Sequence, residues 1–346
     1  MNLKVIYTDR HFVDATAWHL IFEWEDIFSR DLDLKLTDSR NTAIVAKYVG
    51  RVFNFASRVL PVSEGLLFFL YSIIDKVTCR EKALYIIVRD AKWKFYFAGS
   101  HSMLPLIIDF WKTTDLPAFY KTYKNCRALL IPDLEVYNHL KENKCPIKIY
   151  HFPLSLPDKY KLSPDSTFEK IYDIIIPGRI NIVLWHYLQT YLEKFPEIEF
   201  LHMVQKEDLL QYCNSNKSGI VGVCENRDDY MQFLRSSKVA FYATPGIDGG
   251  ENRTGGFNPV TPRFLEMISA GCHVIARYPK NEDTRFFEMG KISFSVESYD
   301  EFELQLTKAL NNKQQPIGRN SEYLTGHYTS VRVKQLKEIL SQMSVG

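Results

Sequence analysis

The chain has 346 residues, 46% hydrophobic and 24% charged, the balance of a protein with a real core rather than a disordered, collagenous or coiled-coil chain. Its 43 Lys and Arg against 41 Asp and Glu leave a formal net charge of +2, without the strong basic excess of a dedicated nucleic-acid binder. Two domains are expected at this length, because single cores stop growing near ~250–300 residues.

The N-terminus, Met1 to Tyr7, reads as a first strand without the layout of a signal peptide. Leu3–Thr8 is the predicted strand and Ala15–Ser29 the helix after it, with Asp14 as its N-cap. Strands are expected at Ala83–Val88 and Lys94–Ala98, and the loop Gly99-Ser100-His101 follows the second of these. Met103–Trp111, Ala128–Ile131 and Leu134–Asn143 continue the α/β rhythm. The stretch from Tyr150 to Asp158 is rich in proline and turn residues, and it reads as a linker.

Beyond the linker the alternation is more regular. Tyr172–Ile176 is a short apolar run ending at Pro177-Gly178-Arg179, and Ile182–Phe195 has apolar residues at helical spacing. Strand-like Glu199–Val204, Gly219–Val223 and Lys238–Ala243 are each followed by a helix-like segment: Lys206–Tyr212, Arg227–Ser236 and Thr261–Ala270. Cys272–Ala276 and Ile292–Val296 are two further predicted strands, and Ser330–Met343 is the last predicted helix. Such alternation implies βαβ units and parallel sheets covered on both faces, here two doubly wound domains across a cleft. The expected boundaries are 1–150, a linker over 151–170, a second domain over 171–325, and a C-terminal helix over 326–346 that packs back on the first domain.

The six cysteines form no CxxC pair, so neither a zinc site nor a disulfide framework is indicated. The longest uncharged apolar run, near Leu66–Ile74, falls short of the ~20 residues of a membrane span. Ala43–Leu60 carries Val45, Val49, Val52 and Phe53 on one side of a helical wheel, with Lys47, Arg51 and Arg58 on another. A basic amphipathic helix of this kind can lie on an anionic membrane, although a core-facing helix with a solvated face explains the same pattern. Asp31-Leu32-Asp33 matches a D-x-D metal pattern, but it sits at a helix end without a preceding strand, and no metal is expected from it.

Glycine is scarce, at 16 residues, yet Gly246, Gly249, Gly250, Gly255 and Gly256 fall in one window. That window lies between a strand ending at Ala243 and a helix with Thr261 as N-cap and Pro262 at its first position. A flexible loop there, feeding a helix N-terminus, suits an anion or a nucleotide. Arg263 and Glu266 then share one helix face.

The stretch from Asn258 to Ala276 resembles the donor-site block of GT-B glycosyltransferases, in which a loop leads to a helix of the form R-x-x-E-x-x-A-x-G and then to an apolar strand. Asp173 to Arg179 is similar to the strand and Gly-Arg turn that open the family's C-terminal domain, and Lys124 to Pro132 more weakly to the strand before its linker. The resemblance implies two Rossmann-like domains. It also implies donor binding by Arg179, Gly255, Gly256, Asn258, Thr261, Arg263 and Glu266, with Glu266 on the ribose and the two arginines on the diphosphate. Retaining members of the group-1 family usually carry Glu where this chain has Asn258, so the block is closer to a divergent R-x-x-E branch.

The implied activity is sugar transfer from a nucleoside-diphosphate sugar, UDP- or GDP-linked, to a glycan or lipid-linked acceptor in bacterial surface polysaccharide or glycoconjugate assembly. No cofactor or metal is expected, nor any nucleic-acid partner. The expected location is cytoplasmic, with peripheral membrane contact through residues 43–74. A base for the acceptor hydroxyl is sought on first-domain loops, where Asp9, His11 and His101 are the candidates, while Asp14 is explained as a helix cap. A nucleotide-sugar epimerase on the same fold, or a non-catalytic nucleotide or sugar sensor, fits the same residues.

Overall fold

The computed structural model describes residues 1–11, 18–39, 81–88, 101–205 and 210–345. In the first domain the strands are β1 (Val5–Thr8), β2 (Lys35–Asp38), β3 (Ala83–Val88), β4 (Met103–Ile108), β5 (Leu129–Ile131) and β6 (Ile149–His151). They form one sheet in the order β2-β1-β3-β4-β5-β6, with every pairing parallel. Runs such as VIYT and ALYIIV are almost wholly buried, as strands covered on both faces must be.

One face packs against α1 (His19–Leu32) and the C-terminal helix α11 (Thr329–Val345). Leu20, Trp24 and Phe28 meet Val333, Leu336 and Ile339 there, so the end of the chain closes over its beginning. The other face packs against α2 (Leu116–Tyr123) and α3 (Leu134–Glu142), through Phe119, Tyr123, Val136 and Leu140. Asp33 takes the left-handed conformation at the C-cap of α1, with φ 52°, which gives half of the D-x-D pair a local structural role.

The second sheet runs β10-β9-β8-β7-β11-β12. Its strands are β7 (Tyr172–Ile176), β8 (Phe200–Gln205), β9 (Gln211–Ser215), β10 (Gly219–Cys224), β11 (Ser237–Ala243) and β12 (His273–Arg277). On one side lie α4 (Ile182–Lys194) and α9 (Tyr299–Asn311). On the other lie α5 (Arg227–Arg235), α7 (Pro262–Ser269) and α10 (Ile317–Leu324). Two short helices, α6 (Glu251–Thr254) and α8 (Glu282–Phe286), sit in the loops after β11 and β12.

Two expectations change here. Of the segment 206–212, predicted as a helix, residues 206–209 lie outside the described residues, and Gln211 and Tyr212 open β9, which runs antiparallel to both β8 and β10. Gly219, at φ 74°, closes the β9–β10 hairpin, so that edge of the sheet is a meander rather than a βαβ unit. Ile292–Val296 is not a strand. It makes one isolated bridge, Ser295 to Ala276, while Ile292 and Val296 turn into the core and Phe294 stays exposed.

Chain segments that leave the carboxyl ends of the two sheets meet each other. After β4, the Lys112 amide donates to the Thr254 carbonyl in the loop after β11. After β5, the Leu134 and Glu135 amides donate to Asp283, beyond β12. Two sheets whose parallel strands face carboxyl end to carboxyl end enclose a cleft at the place where such folds bind ligands.

Candidate functional site

The second domain's side of the cleft is built from the turn after β7, the loop after β11 and the start of α7. Gly178 has φ 106°, and a Cβ there would lie 2.8 Å from the Arg263 guanidinium. The arginine therefore lies flat against the glycine turn, which only a residue without a side chain permits. Arg179, next in the chain, is exposed. Neither guanidinium pairs with a carboxylate among the described residues. His202 on β8 reaches the Gly178 backbone from below, with its pKa lowered by burial.

Thr261 occupies the N-cap position of α7 and Pro262 its first turn, but the threonine side chain makes no cap bond. The Thr261 amide donates to the Tyr242 hydroxyl at 2.9 Å, and its own hydroxyl faces the same oxygen at 3.4 Å. The uncapped start of α7 leaves its positive dipole end beside Arg263, which suits an anion.

Gly178→Ala is expected to destabilise the second domain by about 1–3 kcal/mol, from the positive φ together with displacement of Arg263. Urea unfolding would show it as a lowered midpoint with an unchanged slope.

Three of the predicted donor residues are engaged elsewhere. Glu266 is 3% exposed. One of its oxygens accepts from Arg227 Nη2 at 2.8 Å and the other from the Tyr230 hydroxyl at 2.8 Å. Protein donors thus fill the place expected for a ribose, and both come from α5, which the sequence reading did not connect with this site. Burial and then the Glu266 charge hold the Tyr230 hydroxyl well above its usual pKa, so it stays a donor. Gly255, at φ 67°, lies against Lys112 and Thr113, where a Cβ would come within 2.8 Å of the Lys112 side chain. Its lack of a side chain serves contact with the first domain.

Asn258 knits the loop together. Its Oδ1 accepts from the Thr244 hydroxyl and the Gly246 amide, and its Nδ2 donates to the Gly256 carbonyl. Farther along the loop, Asp248 accepts from Arg277 through both oxygens and from Asn181 Nδ2. The segment expected to be flexible is therefore pinned at several points. Gly256, at φ 96°, has open space where a side chain would be.

On the first domain, Asp9 and His11 follow β1 at the cleft end. Asp9 is 3% exposed and accepts from the Ser39 hydroxyl at 2.6 Å and from the Tyr85 hydroxyl at 3.2 Å. His11 is exposed, with Nε2 3.5 Å from Asp38 at the end of β2. Beneath them Glu25 bonds the Thr8 hydroxyl, and burial raises its pKa to about 7.

His101 lies at the other end of the molecule's first sheet. It immediately precedes β4, and its Nδ1 meets the Asn125 carbonyl, also at the amino end. Its expected place in the cleft depends on a strand at Lys94–Ala98, which lies outside the described residues, as do Asp14 and the residues 43–74 expected to meet a membrane. Among the described residues no helix is long and apolar enough to cross a membrane, and no cluster of three His, Cys, Asp or Glu could hold a metal ion.

No family model matches the chain, and no curated protein matches it in sequence. Solved structures match its fold. A UDP-forming α,α-trehalose-phosphate synthase from Burkholderia xenovorans superposes with a TM-score of 0.52 at 10% identity, over 97% of this chain and 85% of its own. A chain of the GtfA/B complex gives 0.48 at 13% identity over 82% of this chain, which spans 61% of that chain's length. A protein described as a UDP-N-acetylglucosamine 2-epimerase from Listeria monocytogenes gives 0.47 at 12%, over 100% of this chain and 98% of its own. The two facing Rossmann-like domains are the GT-B fold. At these identities the likeness extends to the fold alone.

Proposed function

We propose that the protein is a glycosyltransferase, taking a sugar from a nucleoside-diphosphate donor on the second domain and passing it to an acceptor on the first. The observation that carries this reading is the pair of guanidiniums, Arg179 and Arg263, at the Gly178 turn beside the uncapped start of α7. As the anomeric C–O bond breaks, its electron pair goes to the diphosphate. Two cations and a helix N-terminus can meet that charge without a metal. His11 is the candidate base: the acceptor hydroxyl loses its proton to the imidazole, and Asp38 orients and stabilises the ring. Asp9, which accepts from the Ser39 and Tyr85 hydroxyls, organises the floor beneath it. A UDP- or GDP-linked sugar, and a glycan or lipid-linked acceptor of bacterial surface polysaccharide, are the finer content of this proposal.

Thermal unfolding with UDP, GDP, dTDP, CMP and ADP tests it. A nucleotide at ~100 times its dissociation constant stabilises the fold by about 2.7 kcal/mol. Arg263→Ala is expected to weaken that nucleotide roughly 10- to 100-fold, the worth of one charge-assisted hydrogen bond. No shift with any of the five in folded protein would remove the reading. Binding without sugar transfer to any acceptor would favour a sensor.

A further inference from the structure

Arg332, in the first turn of α11, is 6% exposed and has no counter-ion among the described residues. Its Nε donates to the Pro153 carbonyl of the linker at 2.9 Å. Neither Nη nitrogen finds an acceptor among the described residues, yet neither is sealed from solvent. Burial alone lowers its pKa, to about 10. A guanidinium this deep is ordinarily paired, because taking the charge out of water without a partner is costly. Two histidines border the same charge. His151 ends β6, and His327 stands just before α11. The His327 ring stacks on Phe287 and Tyr323, at 5.3 and 4.9 Å. His151 meets Phe286 edge-on at 4.8 Å, and Phe286 meets Phe287 at 5.2 Å, so one run of rings joins the two imidazoles. His151 Nε2 and His327 Nδ1 are both buried without a partner. Burial, with the Arg332 charge added to it, lowers both imidazoles to about 4, so both are neutral near pH 7. Glu288, the carboxylate whose field reaches His327, is exposed and pairs with Lys291.

We infer that Arg332, His151 and His327 form a second anion site, at the crossing of the linker and the last helix between the domains, and that it takes a phosphate group. The Nη donors of Arg332 offer a planar fork that matches two phosphate oxygens. A neutral imidazole nitrogen accepts from the P–O–H of a singly protonated phosphate, or donates to one of its bare oxygens. A carboxylate has two oxygens and carries no proton near pH 7, so it leaves the histidines unserved once the fork is filled. Phe286, 39% exposed beside His151, would lie against the organic part of a phosphate ester. In the first sheet β6 lies four strands from β1, about 19 Å at ordinary strand spacing, so the site stands apart from His11.

Equilibrium dialysis of the full chain against radiolabelled orthophosphate, near neutral pH and at fixed ionic strength, tests this. The background is the Arg179→Ala, Arg263→Ala double variant, which lacks the donor-site cations and is expected to keep one phosphate per chain. In that background Arg332→Met is expected to weaken phosphate roughly 10- to 100-fold, the worth of one charge-assisted hydrogen bond. Arg332→Lys keeps the charge without the fork and is expected to weaken it roughly tenfold, which decides the matter if the Met variant does not fold. His151→Phe with His327→Phe keeps the ring contacts and removes the nitrogens, for an expected loss of roughly 2- to 10-fold. Phenyl phosphate separates the two sources of such a group: it displaces the label where the site takes an ester, and fails to where it takes the free ion, and either result supports the site. A background that binds no phosphate, or arginine or histidine variants that bind it as tightly as the background does, would overturn the proposal. If no nucleotide binds the wild type, the donor-site reading fails while the dialysis still decides this one.

Discussion

Arg227→Ala is expected to destabilise the protein by roughly 3–5 kcal/mol, the loss typical of a buried charge pair that loses one partner. Arg227 is 8% exposed. Its Nη2 bonds Glu266 at 2.8 Å, and its Nε lies 3.6 Å from Glu23 on α1 of the first domain. The guanidinium also lies over the Tyr160 and Tyr230 rings, at 5.6 and 5.2 Å. Glu23 in turn accepts from the Tyr160 hydroxyl at 2.7 Å and pairs with Lys159 at 2.9 Å. One arginine therefore joins α5, α7, the linker and the first domain. Its removal leaves the Glu266 carboxylate, with only Tyr230 as donor, uncompensated in the core. Thermal unfolding should show a fall of roughly 6–20 °C, at 2–4 °C per kcal/mol for domains of this size. Arg227→Met with Glu266→Leu, which removes both charges, is expected to recover most of that loss. A double variant as unstable as the single one would show that the packing of the arginine stem, not charge compensation, sets the effect.

Phe257→Ala is expected to cost about 3–5 kcal/mol, as deletion of a buried aromatic ring usually does. The ring comes from the second domain's glycine-rich loop but is buried in the first domain's core, beside Phe119, Tyr123, Val136 and Leu140. His139 meets it edge-on at 5.4 Å. Because the cavity would open between domains, the expected signature is a single calorimetric transition that splits into two, with new proteolytic cutting within 244–260. A shift below about 1 kcal/mol would place the ring outside that core.

Much of the fold could be read along the chain because parallel strands and amphipathic helices carry local periodicity. The α7 start could be read as well, since Pro262 has only a few places it can occupy in a helix. The strand β9 could not. Five residues with Gln, Tyr, Cys, Asn and Ser have no strong pattern, and the pairing with β8 and β10 decides their state.

Chemistry followed the same division. The resemblance implied that Arg179 and Arg263 would meet a diphosphate beside Gly178, and the structure adds that Arg263 lies on the glycine turn. The fate of Glu266 depended on Arg227 and Tyr230, more than thirty residues earlier on another helix. His101 read as a cleft residue from its neighbours, and only strand direction put it at the opposite end of the sheet.

By itself the sequence determined the elements that short-range forces choose: the α/β rhythm, the buried strands and the helix start at Thr261 and Pro262. Tertiary structure alone decided which polar groups are spent on one another. A hydrogen bond satisfies a donor whichever part of the chain supplies the acceptor. The capping of α3 by Asp283, the hold of Glu135 on Asn258 and the capture of Glu266 by Arg227 therefore appear only once the two domains face each other.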